Sequence, residues 1–235
     1  MLGIYNYPKV INTVEDKPLE ICMPKNYSFS RDFTIVPVGM SELVYLAALY
    51  PVVFAHHEGV FAAFAVLGGD SNHYLTKDGK WKIDHKPRVL DFYPFGAIRD
   101  RATNNIVVFY DKMPEESTEC EDIEFINVLG EATEHLQRIS QMAVGFYQDF
   151  EVAANLIKEM HDLKILRQTD LELKIDNDEK FIIEGAVMPD PGVLLGISPE
   201  KLYDLTRRGV TPVIYNVASS LMNVEFIRYL KRMGG

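Results

Sequence analysis

Two cysteines among 235 residues, Cys22 and Cys120, are too few and too far apart for a disulfide framework or for a zinc site, which needs about four Cys or His ligands at close spacing. A disulfide between them stays open from sequence alone, and a pair of reduced thiols is the expected state. Long apolar runs are missing too. The longest, Val60 to Gly69, falls far short of the ~20 residues that cross a bilayer, so no membrane span is expected. Met1 to Val14 holds no basic segment followed by an apolar core, so it does not read as a signal peptide. Positive charge is scarce, with 24 Lys and Arg against 34 Asp and Glu and a net charge of −10. Nucleic acid is held by clustered basic side chains. The tightest group here, Arg207 and Arg208 with Arg228, Lys231 and Arg232, suits helix C-termini instead. Nucleic acid is therefore not an expected partner, and the expected setting is the cytoplasm.

Catalytic signatures are absent as well. The chain has no GxSxG elbow, no GxGxxG or GxxxxGK[ST] phosphate loop and no HExxH helix. Gly68-Gly69 before Asp70 reads as a turn. No cofactor is expected, and no catalytic residue can be named.

What is present is an ordinary globular composition, 47% hydrophobic and 25% charged. A chain of this size buries roughly 70% of its unfolded surface, enough for a core without staples. Residues 1–32, with Pro8, Pro18 and Pro24, read as an extended, mostly irregular arm, and 33–235 as one α+β domain. Phe33 to Val38 is strand-like, and Met40 to Leu49 fits a short helix with Ser41 as N-cap and Pro51 as its stop. Val52–Ala55 and Val60–Leu67 form a hairpin around His56-His57-Glu58-Gly59, apolar on both faces and so central. A second hairpin, His73–Thr76 with Trp81–Ile83, turns on Asp78-Gly79, and Asn104–Tyr110 is another strand.

Glu115 to Asp122, headed by Pro114, reads as an acidic linker. From Glu124 to Leu163 apolar residues recur at helical spacing, with Gly145 as a possible division. Leu171–Ile175 and Lys180–Val187 make a third hairpin. Pro199–Arg208 and Val217–Met233 close the chain as helices, the last with Met222, Phe226, Tyr229, Leu230 and Met233 on its packed face. The fold expected is an antiparallel, hairpin-rich sheet with helices from the C-terminal half packed on it.

The histidines offer little. His56 and His57 are consecutive and point to opposite faces of an extended chain. A mononuclear site joining either to His85 and an acid is conceivable, but no spacing demands it, and no metal is expected. The aromatic segment is richer: Trp81, then Phe92, Tyr93, Pro94 and Phe95, with Arg88 and Arg99 nearby. Core is the favoured reading. The sharper one is a concave aromatic wall with a guanidinium, a ligand site formed by Trp81, His85, Tyr93, Phe95 and Arg99.

These same residues carry a resemblance. Tyr50-Pro51-Val52-Val53-Phe54 is similar to a YPxVF stretch, Asp78, Gly79 and Trp81 to a DGxW turn, and Pro87 with Tyr93-Pro94-Phe95 to the element that follows. Ile214, Ser220, Leu221 and Asn223 fit the start of a C-terminal helix. In this order, over roughly residues 33 to 230, they resemble the SapC family. Departures are Asp91-Phe92 where two arginines are frequent, His85 where tyrosine is frequent, and Val217 where histidine is frequent. The resemblance implies an association with bacterial surface-layer (S-layer) protein export or modification and no established reaction. The expected role is thus a non-enzymatic accessory protein that binds a protein or peptide client, with a homo-oligomer as an option for its assembly. The alternative is an enzyme or small-ligand binder using a pocket near Trp81, His85, Tyr93 and Arg99.

Overall fold

The computed structural model describes residues 4–57, 59–111 and 119–233. Along the chain run β1 (Pro8–Val10), β2 (Leu19–Pro24), β3 (Ile35–Val38), α1 (Met40–Ala47), β4 (Val52–His57), β5 (Val60–Val66), β6 (Phe95–Arg99), β7 (Ile106–Asp111) and β8 (Cys120–Ile126). Then follow α2 (Glu134–Asp162), β9 (Leu166–Lys174), β10 (Lys180–Pro189), α3 (Pro199–Arg207), α4 (Val210–Ser220) and α5 (Val224–Met233). The strands pair antiparallel in a five-stranded sheet ordered β3-β5-β4-β10-β9, a three-stranded sheet β1-β7-β6 and a ribbon of β2 with β8. Helices lie mostly in the C-terminal half, as the α+β expectation has it.

Burial explains the strand order. Val52, Val53 and Phe54 are buried in succession, so both faces of β4 are covered, and β4 sits mid-sheet. Helix α2 packs on β5, and α4 packs on β4 and β10. Pro37, which offers no N–H to a ladder, lies in β3 at the sheet edge. Gly59, at φ +81°, makes the β4–β5 turn.

Two clusters of buried side chains result. The large one lies around the five-stranded sheet, and a smaller one joins Leu19, Ile21, Phe95, Phe125, Ile126 and Leu136. Helix α2 serves both, since Leu136 belongs to the small cluster and Ala143, Phe146, Phe150, Ile157 and Met160 to the large one. Gly145 does not divide it. Burial of apolar side chains on both sides of the glycine far outweighs the ~1 kcal/mol that glycine costs in a helix.

Several expectations need correction. Cys22 and Cys120 are not free thiols: they form a disulfide with Cα atoms 5.4 Å apart. The β2–β8 register sets Cys22 beside Asp122 and Cys120 beside Pro24, a proximity that 98 residues of separation conceal. Residues of the arm are extended but paired, β1 on β7 and β2 on β8, and Ile4 and Tyr5 are buried. Of the acidic linker, 115–118 lie outside the described residues, and Cys120–Asp122 open β8. Helical periodicity from Glu124 fails at its start, because Glu124–Ile126 complete β8 and Asn127 with Gly130, at φ +84°, turns the chain. Leu129 is exposed there.

Ser41 is not the cap of α1. Gly39 stands at that position, and the Asp149 carboxylate of α2 accepts from the Ser41 N–H at 3.1 Å. A side chain at Gly39 would collide with Asp149. The hairpin at Asp78-Gly79 is a turn with one bridge, Leu75 to Trp81. The last helix is two helices, since α4 ends at Ser220 and a 3-10 turn over Leu221–Asn223 precedes α5. That break changes the packed face. Ile227 and Leu230 are buried, whereas Met222, Tyr229 and Met233 are exposed.

Candidate functional site

Tyr50, at the end of the α1–β4 connection, is fully buried, and three separate stretches of sequence meet on it. Its hydroxyl accepts from the Trp81 indole N–H at 2.8 Å and donates to the His85 carbonyl at 2.6 Å. Its ring stacks on Tyr74 at 4.3 Å, and Tyr74 in turn stacks on Trp81. Asn223 donates to the carbonyls of Ala47 and Tyr50, and Ser220 Oγ accepts from the Val52 N–H at 2.9 Å. Burial pushes the Tyr50 phenol above its ordinary range, so it remains a neutral hydrogen-bond donor. YPxVF, DGxW and the Ser-Leu-x-Asn stretch are therefore one polar-aromatic knot. It ties these stretches together, with Tyr50 and Tyr74 fully buried within it.

The glycine of DGxW has its own reason. Gly79 sits at φ +77°, and a Cβ there would overlap Asn26 and Ser28. Its carbonyl accepts from the Tyr27 N–H at 2.8 Å. Asn26 caps the 3-10 turn Tyr27–Ser30 by accepting from Ser28 N–H at 2.9 Å. Through this contact the turn of 76–81 fixes Tyr27, whose ring meets Trp81 edge-on at 6.0 Å.

Beyond Tyr27 lies a cleft of about 140 Å³. Tyr27, Phe29, Leu90 and Tyr93 form its aromatic and apolar lining, and Met23, Pro24 and Lys25 at the end of β2 form another wall. Phe29 and Tyr93 stack at 4.6 Å with an interplanar angle of 5°. Tyr93 is buried, donates to Asp111 at 3.3 Å and is followed by a cis peptide to Pro94. Asp111 also accepts from the Asn6 and Tyr7 N–H groups, which ties the N-terminal arm beneath this cleft. At the mouth stands Asp91. Lys86 Nζ lies 2.8 Å from its carboxylate and 5.2 Å from the centre of the Tyr27 ring. Burial works against the Lys86 charge, yet Asp91 and the Tyr27 hydroxyl outweigh it, and its pKa stands raised.

The five residues expected to make one wall are distributed. Tyr93 lines the cleft, and Trp81 reaches it only through Tyr27. His85 is exposed, and its carbonyl accepts from the Tyr50 hydroxyl. Phe95 is fully buried in the small cluster, 4.7 Å from Phe125. Arg99 forms a fork with Glu151 of α2, at 2.9 and 2.5 Å, and donates to the Asn104 carbonyl. Its guanidinium is thus committed to a tie between β6 and α2. His56 is exposed and stacks on Phe61, with the His161 ring 6.1 Å away and His85 not part of that group. Among the described residues no three His, Cys, Asp or Glu side chains are placed to hold a metal ion.

Sequence reasoning passed over Tyr27, Phe29, Lys86 and Asp91. A signal exists in Asn26-Tyr27-Ser28-Phe29, which puts an Asx cap ahead of alternate aromatics inside a proline-marked stretch that otherwise suggests an irregular arm. It also passed over two buried carboxylates. Glu179 accepts from Gly69 and Asp70 N–H groups, His73 and Lys231, at 2.6 to 3.0 Å. Burial alone would raise this carboxyl, but Lys231, the two N–H groups and His73 bring it down to about 2. Glu42 accepts from the Gly39 and Arg88 N–H groups, yet burial outweighs them and lifts it to about 7. Both carboxylates join segments distant in sequence, and both fit structural latches.

No curated protein and no solved structure matches the chain. The SapC family model matches residues 11–226, and so nearly the whole of the fold described above. The chain belongs to the SapC family.

Proposed function

We propose that this SapC member is a non-enzymatic accessory protein that binds a protein or peptide client in surface-layer protein export or modification. The observation that carries this reading is the Tyr27–Phe29–Tyr93 cleft at the end of β2. At about 140 Å³ it is smaller than the ~300–1,000 Å³ of ordinary small-molecule sites, and it suits a side chain of a larger partner. One wall of it is the strand terminus Met23-Pro24-Lys25, beside which an extended peptide can lie. The association with surface proteins is what the resemblance to the family implies, and it is part of the proposal. The rival, a small-ligand site shared by Trp81, His85, Tyr93 and Arg99, requires those groups on one wall. Trp81 is tied to Tyr50 and Arg99 to Glu151 instead. The proposal keeps the cytoplasm as the setting, where export substrates are met before they cross the membrane, and the Cys22–Cys120 disulfide stands against it unless that pair is reduced in the cell.

A photo-crosslinking amino acid at Met23, with exposed Glu184 as control, tests the reading in the cell that makes the protein. Polypeptide adducts should form at Met23 and not at Glu184, with a second copy of the chain identifiable by its own peptides. No adduct at Met23, together with a small molecule retained in native mass spectra, would sink it.

A further inference from the structure

Lys86 occupies a position that the chemistry of the cleft offers to any cation. An aromatic face and a carboxylate together form a cation seat, the face attracting through its quadrupole and the carboxylate through its charge. Tyr27 and Asp91 are such a pair, with the Tyr27 hydroxyl 3.4 Å from the same carboxylate oxygen that Lys86 approaches. Lys86 lies in the segment just before the 3-10 turn Arg88–Asp91, and Tyr27 and Asp91 both line the cleft, whereas Lys86 is not among its lining residues. Asp91 and Lys86 both retain access to solvent, their side chains being 35% and 24% exposed, so the pair can exchange partners. A partly exposed ion pair of this type contributes on the order of 1 kcal/mol, which an incoming cation can match. Charge complementarity points the same way. The chain carries −10 overall, and Glu119, Glu121, Asp122 and Glu124 stand exposed on or beside the β8 strand that pairs with β2.

We infer that the client segment presents an arginine or lysine side chain flanked by apolar residues, and that this cation takes the Tyr27–Asp91 seat in place of Lys86. The inference rests on the client-binding reading above and adds the chemistry of the ligand. Arginine suits the seat better than lysine, because its planar guanidinium can stack on the Tyr27 ring while it pairs with Asp91. Lys86 is then an internal competitor that keeps the seat filled until a stronger cation arrives.

The test uses two capped tripeptides, phenylalanine–arginine–phenylalanine and phenylalanine–norleucine–phenylalanine. Binding is followed by the emission of Trp81, the single tryptophan, which Tyr27 touches edge-on. The arginine peptide should bind Lys86→Met, which keeps the apolar stem, about 3- to 5-fold tighter than wild type, as expected for loss of one competing surface ion pair. Asp91→Asn should weaken it by a similar factor, and raised salt should weaken it further. Thermal unfolding of both variants checks that they are folded. The norleucine peptide should be indifferent to both substitutions. If the two peptides bind alike and neither variant separates them, the cation inference is wrong and the client cleft stands. If neither peptide shifts Trp81 at millimolar concentration in any folded variant, the cleft is not a peptide seat and both readings fall.

Discussion

Trp81 donates its indole N–H to the Tyr50 hydroxyl at 2.8 Å, across 31 residues of sequence, and Tyr50 passes the bond on to the His85 carbonyl. Trp81 is half-buried, so part of its ring still contributes to the core against Tyr74 and Tyr27. Trp81→Ala should cost about 3 kcal/mol, the lower end for large aromatic truncations. Tyr50→Phe removes only an oxygen but strands the indole N–H and the carbonyl, and should cost about 1–3 kcal/mol. Urea unfolding measures both. A loss under about 0.5 kcal/mol for Tyr50→Phe would mean that the knot is not a stabilising element.

Stability should have a maximum in mildly acid solution, set by two buried carboxyls of opposite sense. Glu179 is depressed from 4.5 to about 2, so its contribution is complete above pH 4.5 and is lost as pH falls through 2. Glu42 is raised from 4.5 to about 7, so the folded state keeps a proton that the unfolded chain releases. Its contribution is complete below pH 4.5 and lost as pH rises through 7. Arg88, Asp149 and Tyr50 are the ionisable groups that face it. In Glu42→Gln the fall in stability between pH 4.5 and 7 should disappear. In Glu179→Gln stability at pH 7 should drop by about 2 kcal/mol, as for hydrogen bonds to a charged group, and acid sensitivity should lessen. Chemical denaturation at pH 3, 5 and 7 reads both slopes.

The disulfide gives a prediction about compartment. Closing a loop of 98 residues stabilises a fold by about 2–4 kcal/mol in typical cases, so reducing Cys22–Cys120 should lower the melting temperature in vitro. In the cytoplasm glutathione holds such pairs open. Rapid alkylation of living cells should therefore label both cysteines if the proposed cytoplasmic setting is correct. Blocked thiols in that experiment would place the working protein in an oxidising compartment.

The split C-terminal region predicts which face matters. Leu230→Ala should cost about 2–5 kcal/mol, the range for buried leucine truncation. Met222→Ser and Tyr229→Ser lie on the exposed side and should stay within about 0.5 kcal/mol of wild type. Equal losses for the two classes would show that the exposed side is covered in solution, by a second copy or another partner.

What was legible in the sequence was local. The β4–β5 and β9–β10 hairpins, the strand within Phe33–Val38 and the apolar ladder of α2 all rest on near neighbours, so periodicity and turn chemistry reveal them. Arrangements that depend on distant partners were hidden. Asp149 takes the start of α1 from 108 residues away, and the knowledge that Ser41 is a plausible cap cannot disclose it. Periodicity over Val217–Met233 looked continuous because a 3-10 turn changes the rotation by a fraction of a turn without interrupting the apolar pattern. At the candidate site the aromatic content was readable and its grouping was not. Phe95 and Tyr93 are two residues apart, yet the chain enters β6 at Phe95 and the two rings belong to different clusters.

The knot at Tyr50 also sets a timetable for folding. Val52 waits for Ser220, 168 positions later, and the Ala47 carbonyl waits for Asn223, 176 positions later. The central strand β4 has its second neighbour in β10, some 130 residues downstream by their paired Phe54 and Val187. During synthesis the first hairpin can form early, but it must stand with one side open until nearly the whole polypeptide has left the ribosome. Until β10 emerges, a nascent chain of this protein carries an exposed apolar strand in need of shielding, and an abrupt truncation before β10 leaves it in that state.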